Sequence, residues 1–207
     1  NFVAFLGDDA AIQSRKVSVS FAIIATIGQV TLGYLLALLY VFGLRKGSTL
    51  LRTIVFFPAI LPTVAVALLF KSFVAVGDNQ GPVNDIINFF GGPSVEVLAT
   101  TYGTMLTAIV MTLWTSMGFY ALPLSLPILM SSLIFSLNST LKVFDSLLAL
   151  NNGGPGTSTA PLTLYMYRTS FEYAEYGYGS TIAMVLTLLC LVFTLAIFKS
   201  SRKPVEK

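Results

Sequence analysis

Charged residues divide this chain into long apolar stretches. Residues 17–44, 53–70, 97–141, 146–167 and 176–198 contain no Asp, Glu, Lys or Arg. A helix needs about 20 apolar residues to cross the hydrocarbon core of a bilayer. The first, second and last stretches each hold one such helix. The stretch from 97, extended to Leu150, holds two, with Pro123 and Pro127 between them as helix breakers. The pattern therefore predicts spans over 17–42, 50–73, 100–120, 124–150 and 176–198. Barrel strands are short and strictly alternating, and nothing here alternates in that way. The expected fold class is all-α, a polytopic transmembrane helical bundle with five visible spans.

Two segments between the spans carry their own signals. In GPVNDIINFFGG, Val83, Ile86, Ile87 and Phe90 fall on one face of a short helix. Pro82 suits its first turn and Gly91-Gly92 its end. This helix should lie at the membrane surface or cap the bundle. The second segment opens with the turn formers Asn151 to Gly156. It then becomes rich in rings: Tyr165, Tyr167, Phe171, Tyr173, Tyr176 and Tyr178 suit an interfacial aromatic belt.

Composition agrees with the pattern. Of 207 residues, 55% are hydrophobic and 10% charged, against roughly 25% charged in a soluble domain. Mean hydropathy is +0.82. So little charge cannot clothe a soluble surface, and so much apolar residue excludes intrinsic disorder. The net charge of +3 points to basic cytoplasmic loops rather than to nucleic acid. The single cysteine, Cys190, excludes an internal disulfide framework, and the absence of histidine removes histidine-based catalysis and most zinc sites. No metal site is expected. The chain opens on Asn1 rather than Met, as a fragment or a processed form would.

Basic residues set an orientation. Arg45, Lys46 and Arg52 follow the first span, and Lys199, Arg202, Lys203 and Lys207 follow the last. With these inside, the outer segments keep only Arg15, Lys16, Lys71 and Arg168, as the positive-inside rule asks. The C-terminus is then cytoplasmic, and an external start implies an earlier span. One junction is anomalous. Between the third and fourth spans, Met117 to Leu126 must be cytoplasmic, yet it has no charge and only a turn's length. It is either a tight hairpin or the mark of a segment left out.

Candidate chemistry is sparse. No Walker-type loop is present, so the chain does not hydrolyse ATP by that route and is not expected to be an enzyme. Asp8 and Asp9 read as solvated loop residues. Lys142 and Asp145 are the charges inside a span, three apart on one helical face. They form either a transport-path or gating pair or a local ion pair that eases burial. Asn138, Ser139 and Thr140, one turn earlier, either join helices or line a polar path for a hydroxyl-rich solute. Trp114, Ser116 and Phe119 divide in the same way between packing and stacking. Pro58 and Pro62 should kink the second span, either as structure alone or to open a cavity at membrane depth. Gly153, Gly154 and Pro155 form a turn.

From these residues alone a transporter subunit, a non-transporting scaffold subunit and an ion-coupled carrier all stay open. The ordered motifs narrow this. KVFD, then GGP followed by Ser/Thr, the YMYRTSFE stretch and GYGS entering the last span resemble the permease subunits of binding-protein-dependent sugar ABC importers. The likeness is to the maltose F, multiple-sugar and glycerol-phosphate group. NFVAFLGDD, LRKGSTLLRTIVFFPAILPTVAVALLF, GPVNDIINFFG and LW followed by MGFY extend it over nearly the whole chain. The resemblance implies a type I ABC-importer permease fold in a single transmembrane domain, 1–207. It also implies a bacterial or archaeal cytoplasmic membrane. The partners would be a second permease subunit, two ATPase subunits holding ATP-Mg, and an extracytoplasmic solute-binding protein. This chain would hold no cofactor itself. The sugar would pass near Ser116, Phe119, Ser139, Thr140 and Val143, and Gly153, Gly154 and Pro155 would face the binding protein. The family's first span, and its coupling loop with a Glu-Ala-Ala signature, are absent here. The loop is missing near 120–122, where the charge pattern is anomalous.

Overall fold

The computed structural model describes residues 1–43, 53–120 and 126–201, and it is helical, with no strand among the described residues. Its elements are α1 (Phe2–Gly7), α2 (Asp9–Leu38), which runs on as a π turn over Leu39–Gly43, and α3 (Thr53–Ile60). There follow α4 (Thr63–Phe73), α5 (Pro82–Phe89), α6 (Thr101–Tyr120) and α7 (Leu126–Leu141). The last are α8 (Asp145–Asn151), α9 (Leu162–Tyr167), a π turn over Arg168–Glu172, and α10 (Tyr176–Ser201).

Helices α2 and α10 are each long and apolar enough to cross a membrane unbroken. The expected span over 50–73 is instead the pair α3 and α4, bent by 103°. The span expected over 124–150 is α7 and α8, bent by 44°. The described residues thus hold up to four spans by this measure, and α6 occupies the stretch expected for the third of the five. The basic loop with Arg45, Lys46 and Arg52, the junction residues 121–125 and the tail beyond Ser201 lie outside the described residues.

α2 is the central post, packing against α6 and α7. Its buried positions include Ala11, Ser14, Ser18, Ala22, Ala25, Gln29, Gly33 and Ala37. They recur every three or four residues, so they form one stripe, and the stripe is mostly small. Its outer face carries Ile23, Ile24, Ile27 and Leu35, all exposed. Lipid is as apolar as leucine, so burying large apolar groups gains little there, whereas small residues let backbones approach. Phe21 and Ala25 pack with Ala108, Leu147 and Leu150. Ala22 packs with Leu137, Leu141 and Cys190. At Gly28 the approach is so close that a Cβ would lie 2.7 Å from Leu113 Cδ2. Phe5, Ala11, Leu162 and Ile182 pack together at the end of the bundle where α2 begins.

α5 forms where its proline and glycines predict it. Its buried residue, however, is polar: Asn84 is fully covered. The Asn84 amide donates to the carbonyls of Val74 (3.3 Å), Ala75 (3.0 Å) and Val95 (3.2 Å) and accepts from the Val95 amide (2.8 Å). One side chain therefore ties both flanks of the loop. Of the apolar face predicted from Val83, Ile86, Ile87 and Phe90, Ile87 is half-buried and the other three are exposed, Phe90 at 81%.

The small stripe on α2 makes a direct prediction. Ala25→Leu adds volume where no exposed surface remains and should destabilise the fold by about 1–3 kcal/mol. Ile24→Leu, on the exposed face, should leave it unchanged. Thermal unfolding in detergent reads both; equal melting temperatures for the two variants would contradict the packing.

Candidate functional site

Both helix breaks open onto one cavity of about 330 Å³. The first lies between α3 and α4, where Pro58 and Pro62 withhold two backbone N–H groups. Pro58 is buried, and Leu61 donates back to the Pro58 carbonyl at 3.3 Å. The second break is Lys142–Phe144. Just before it, Ser139 Oγ and Thr140 Oγ1 donate to the Ser136 carbonyl at 2.9 and 2.8 Å. Such back-bonding competes with the helix ladder and favours bending. The carbonyl of Val143, freed by the break, accepts from Thr163 Oγ1. Backbone released at membrane depth has to be satisfied inside the protein, and Thr163 does this.

The cavity wall is mixed. Pro58, Leu61 and Thr63 come from the first break, and Val143, Phe144 and Asp145 from the second. α6 contributes Thr112, Thr115 and Ser116, α2 contributes Phe21 and Gln29, and α7 contributes Phe135, Ser139 and Thr140. Ser139 and Phe135 are exposed toward it, while Thr140 is 3% exposed. Thr140 Oγ1 lies 3.3 Å from Thr26 Oγ1, Ser136 Oγ donates to Thr26 Oγ1 at 3.2 Å, and Ser136 also bonds the Gln29 carbonyl oxygen. Thr140 therefore joins α7 to α2 and borders the cavity at once. Asn138 joins helices only, donating to Thr194 Oγ1 on α10 at 2.9 Å.

Of the residues expected on a solute path, Ser116, Ser139, Thr140 and Val143 all line this cavity, together with Lys142 and Asp145. The side chain of Phe119 lies outside the described residues. Lys142 and Asp145 do not share a helical face as expected. The helix ends at Leu141 and restarts at Asp145, because the Phe144 backbone leaves the helical region between them. They are both exposed, and the ion pair found among the described residues is Arg168–Glu172, not theirs. Trp114 packs against Phe70 with ring centroids 5.7 Å apart and joins the Val66, Ala67 and Met111 cluster, so it serves packing. Gln29 was not singled out from the sequence. Its signal was available: an amide within an uncharged 17–44 run has to face protein.

Gly153, Gly154 and Pro155 stand apart from the cavity. They turn the chain at the end of α8, with Asn152 and Gly153 at φ 53° and 68°. Asn151 Nδ2 donates to the Gly154 carbonyl at 2.7 Å and to Thr104 Oγ1 at 2.8 Å. Arg168 Nη2 donates to the Asn152 carbonyl at 2.7 Å. The turn is thus anchored on α6 and the second π turn, leaving Pro155, Gly156 and Thr157 exposed at its tip.

Asp8 is not the solvated loop residue its sequence position implies. It caps α2, accepting from the Ala10 amide at 2.9 Å. It also accepts from Tyr178 Oη at 2.6 Å and from Tyr165 Oη. Burial works to raise its pKa, and the two tyrosine hydroxyls and backbone amides outweigh that, holding the carboxyl below its ordinary 3.8. Burial, with the Asp8 bond second, pushes the Tyr165 phenol well up.

No family model matches the chain. It is 27% identical over 228 aligned positions to the multiple sugar-binding transport system permease protein MsmF of Streptococcus mutans, covering 90% of this chain and 76% of that protein. It is 24% identical to the lactose transport system permease protein LacF of Rhizobium radiobacter, covering 98% and 80%. It is 26% identical to the trehalose/maltose transport system permease protein MalF of Thermococcus litoralis, covering 91% and 74%. These alignments are longer than the 207-residue chain, so each relative carries residues inside the matched region that this chain lacks. Among solved structures, a bacterial ABC transporter that imports the acidic polysaccharide alginate superposes with a TM-score of 0.86 over 100% of this chain and 83% of its own, at 20% identity. The alginate transporter in complex with its pentasaccharide-bound periplasmic protein gives 0.85 over 97% and 81%.

Asp8→Ala should cost about 1–2 kcal/mol, from the lost cap and two phenols left without their acceptor. Because the folded pKa lies below 3.8, the stability carried by ionised Asp8 is complete above that pH. It is lost as pH falls through the folded value. The native protein should therefore exceed Asp8→Asn in stability above pH 4, and acid unfolding followed by circular dichroism should show that margin shrinking as pH falls below it. Identical acid limbs would contradict the assignment.

Proposed function

We infer that the chain is the membrane-spanning permease subunit of an ATP-driven carbohydrate importer and forms half of its translocation pore. The observation that carries this is the combination of near-complete alignment to sugar-transport permeases with a cavity between the two helix breaks lined by hydroxyls and rings. Hydroxyl and carbonyl groups meet the hydroxyls of a sugar, and aromatic faces meet its C–H faces. The fold is that of an ABC-importer permease.

The partners are a second permease, ATPase subunits and an extracytoplasmic binding protein. ATP is bound and hydrolysed on the ATPase subunits, and this chain supplies the path. Ser139 on α7 and Ser116 on α6 are its polar contacts with sugar, and Val143 and Phe144 its apolar ones. Lys142 and Asp145, flanking the bend between α7 and α8, act as the gating charges: a change in bend angle alters their separation. Pro155 and its neighbours at the tip of the α8 turn receive the binding protein. The C-terminus is cytoplasmic, in keeping with the basic tail. The loop that docks on the ATPase belongs at 120–122, and alignments longer than the chain support a segment missing within the matched region.

Reconstitution tests the reading. In proteoliposomes with all partners, sugar and binding protein together should stimulate ATP hydrolysis and drive uptake. Uptake driven by a proton or sodium gradient without ATP would instead identify a carrier. Peptide mapping across Tyr120–Leu122 of the purified natural protein checks the docking loop, and direct continuity there would refute it.

A further inference from the structure

From the cavity wall outward, four rings form a continuous ladder. Phe144 and Tyr167 lie 5.3 Å apart between centroids, Tyr167 and Phe171 5.4 Å, and Phe171 and Tyr176 6.4 Å. The inner rung, Phe144, is part of the cavity wall. The outer rungs are open: Tyr167 is 38% exposed, Phe171 67% and Tyr176 62%. The π turn builds this alignment. It sets Tyr167 and Phe171 four residues apart on one side, while Arg168 turns away to bond the Asn152 carbonyl.

An interfacial belt explains tyrosines near a membrane surface. It does not explain a row of touching rings that begins in the wall of a polar cavity. We propose that the ladder is a stacking track for sugar rings, leading from the extracytoplasmic surface into the cavity. This rests on the carbohydrate-import reading above. A pyranose presents an apolar C–H face to an aromatic ring while its rim of hydroxyls stays in water. Neighbouring rungs are spaced at about the length of one sugar unit, so a sugar moves to the next before fully leaving the last. Several weak sites in series favour entry without trapping the solute. The phenol hydroxyls of Tyr167 and Tyr176 add polar contacts at the edge.

The test uses the assembled transporter with its binding protein in proteoliposomes, offered radiolabelled lactose, trehalose, maltose and maltotetraose. Phe171 touches only other rungs among the ring contacts, so its variants change the track and spare the cavity. With Phe171→Ala, the sugar imported per ATP hydrolysed should fall about threefold to tenfold, the range expected for one lost aromatic contact. Binding-protein-stimulated hydrolysis should stay unchanged. Phe171→Tyr should restore import and Phe171→Leu should not, because leucine keeps apolar bulk without a ring face. Import by Phe171→Leu equal to the unaltered complex would overturn the track and assign the ladder to lipid or to the second permease. Equal loss of import and hydrolysis would overturn it in favour of a structural role. If the unaltered complex imports none of the four sugars, the carbohydrate reading fails and the track with it.

Discussion

A bilayer offers no water to a broken helix, and this structure is organised around two breaks. At each, backbone groups that an unbroken span would satisfy must find partners within the protein. At Lys142–Phe144 the partner is Thr163, reaching over from α9 to the Val143 carbonyl. At Leu61–Pro62 the prolines leave fewer donors to satisfy, and the Pro58 carbonyl takes the Leu61 amide. The breaks are tolerable because they face each other across a protected space. That space is the cavity, and its polar lining follows from the side chains that bend and brace the helices around it.

The rest of the bundle holds the two breaks in register. α2 can stand between α6 and α7 because its inner stripe is small, and Ser18, Thr26 and Gln29 on its buried side bond to neighbouring elements. Ser18 accepts from the Leu162 amide at 2.7 Å, and Thr26 and Gln29 meet Ser136 and Thr140. Outside, the large apolar residues of α2 and α10, such as Ile27, Leu188 and Leu195, face outward. This is the arrangement that a lipid solvent favours, since close backbone packing and hydrogen bonds there replace hydrophobic burial as the driving force. Asp8 fastens one end of the bundle, joining the start of α2 to α9 and α10.

Helix existence was legible because spacing between charges reports span length directly. α2, α6 and α10 follow that signal closely. The two bends were legible only in part. Pro58 and Pro62 announce a kink, and the structure supplies the size. The break at Lys142 carries no proline or glycine, so one helical face for Lys142 and Asp145 was the natural reading; Ser139 and Thr140 back-bonding and the Thr163 contact come from tertiary context. Asp8 was misread for the same reason, since its tyrosine partners lie more than 150 positions away. α5 shows the converse. Its amphipathic pattern is real, but which face turns inward was decided by the four hydrogen bonds of Asn84. The cavity residues Ser116, Ser139, Thr140 and Val143 came from hydroxyl patterning and family resemblance together, and α6, α7 and the break after α7 bring them to one cavity.

The central claim is that the space between the two breaks is where sugar passes. Ser139 sits on its exposed wall, so a single cysteine there reports occupancy directly. In a Ser139→Cys transporter with Cys190 replaced by alanine, a membrane-impermeant maleimide should label position 139, and transported sugar with binding protein and ATP should slow that labelling. A control cysteine at the outward-facing Leu188 should be indifferent to sugar. Labelling at 139 that no sugar alters, in a complex that still imports, would contradict the account.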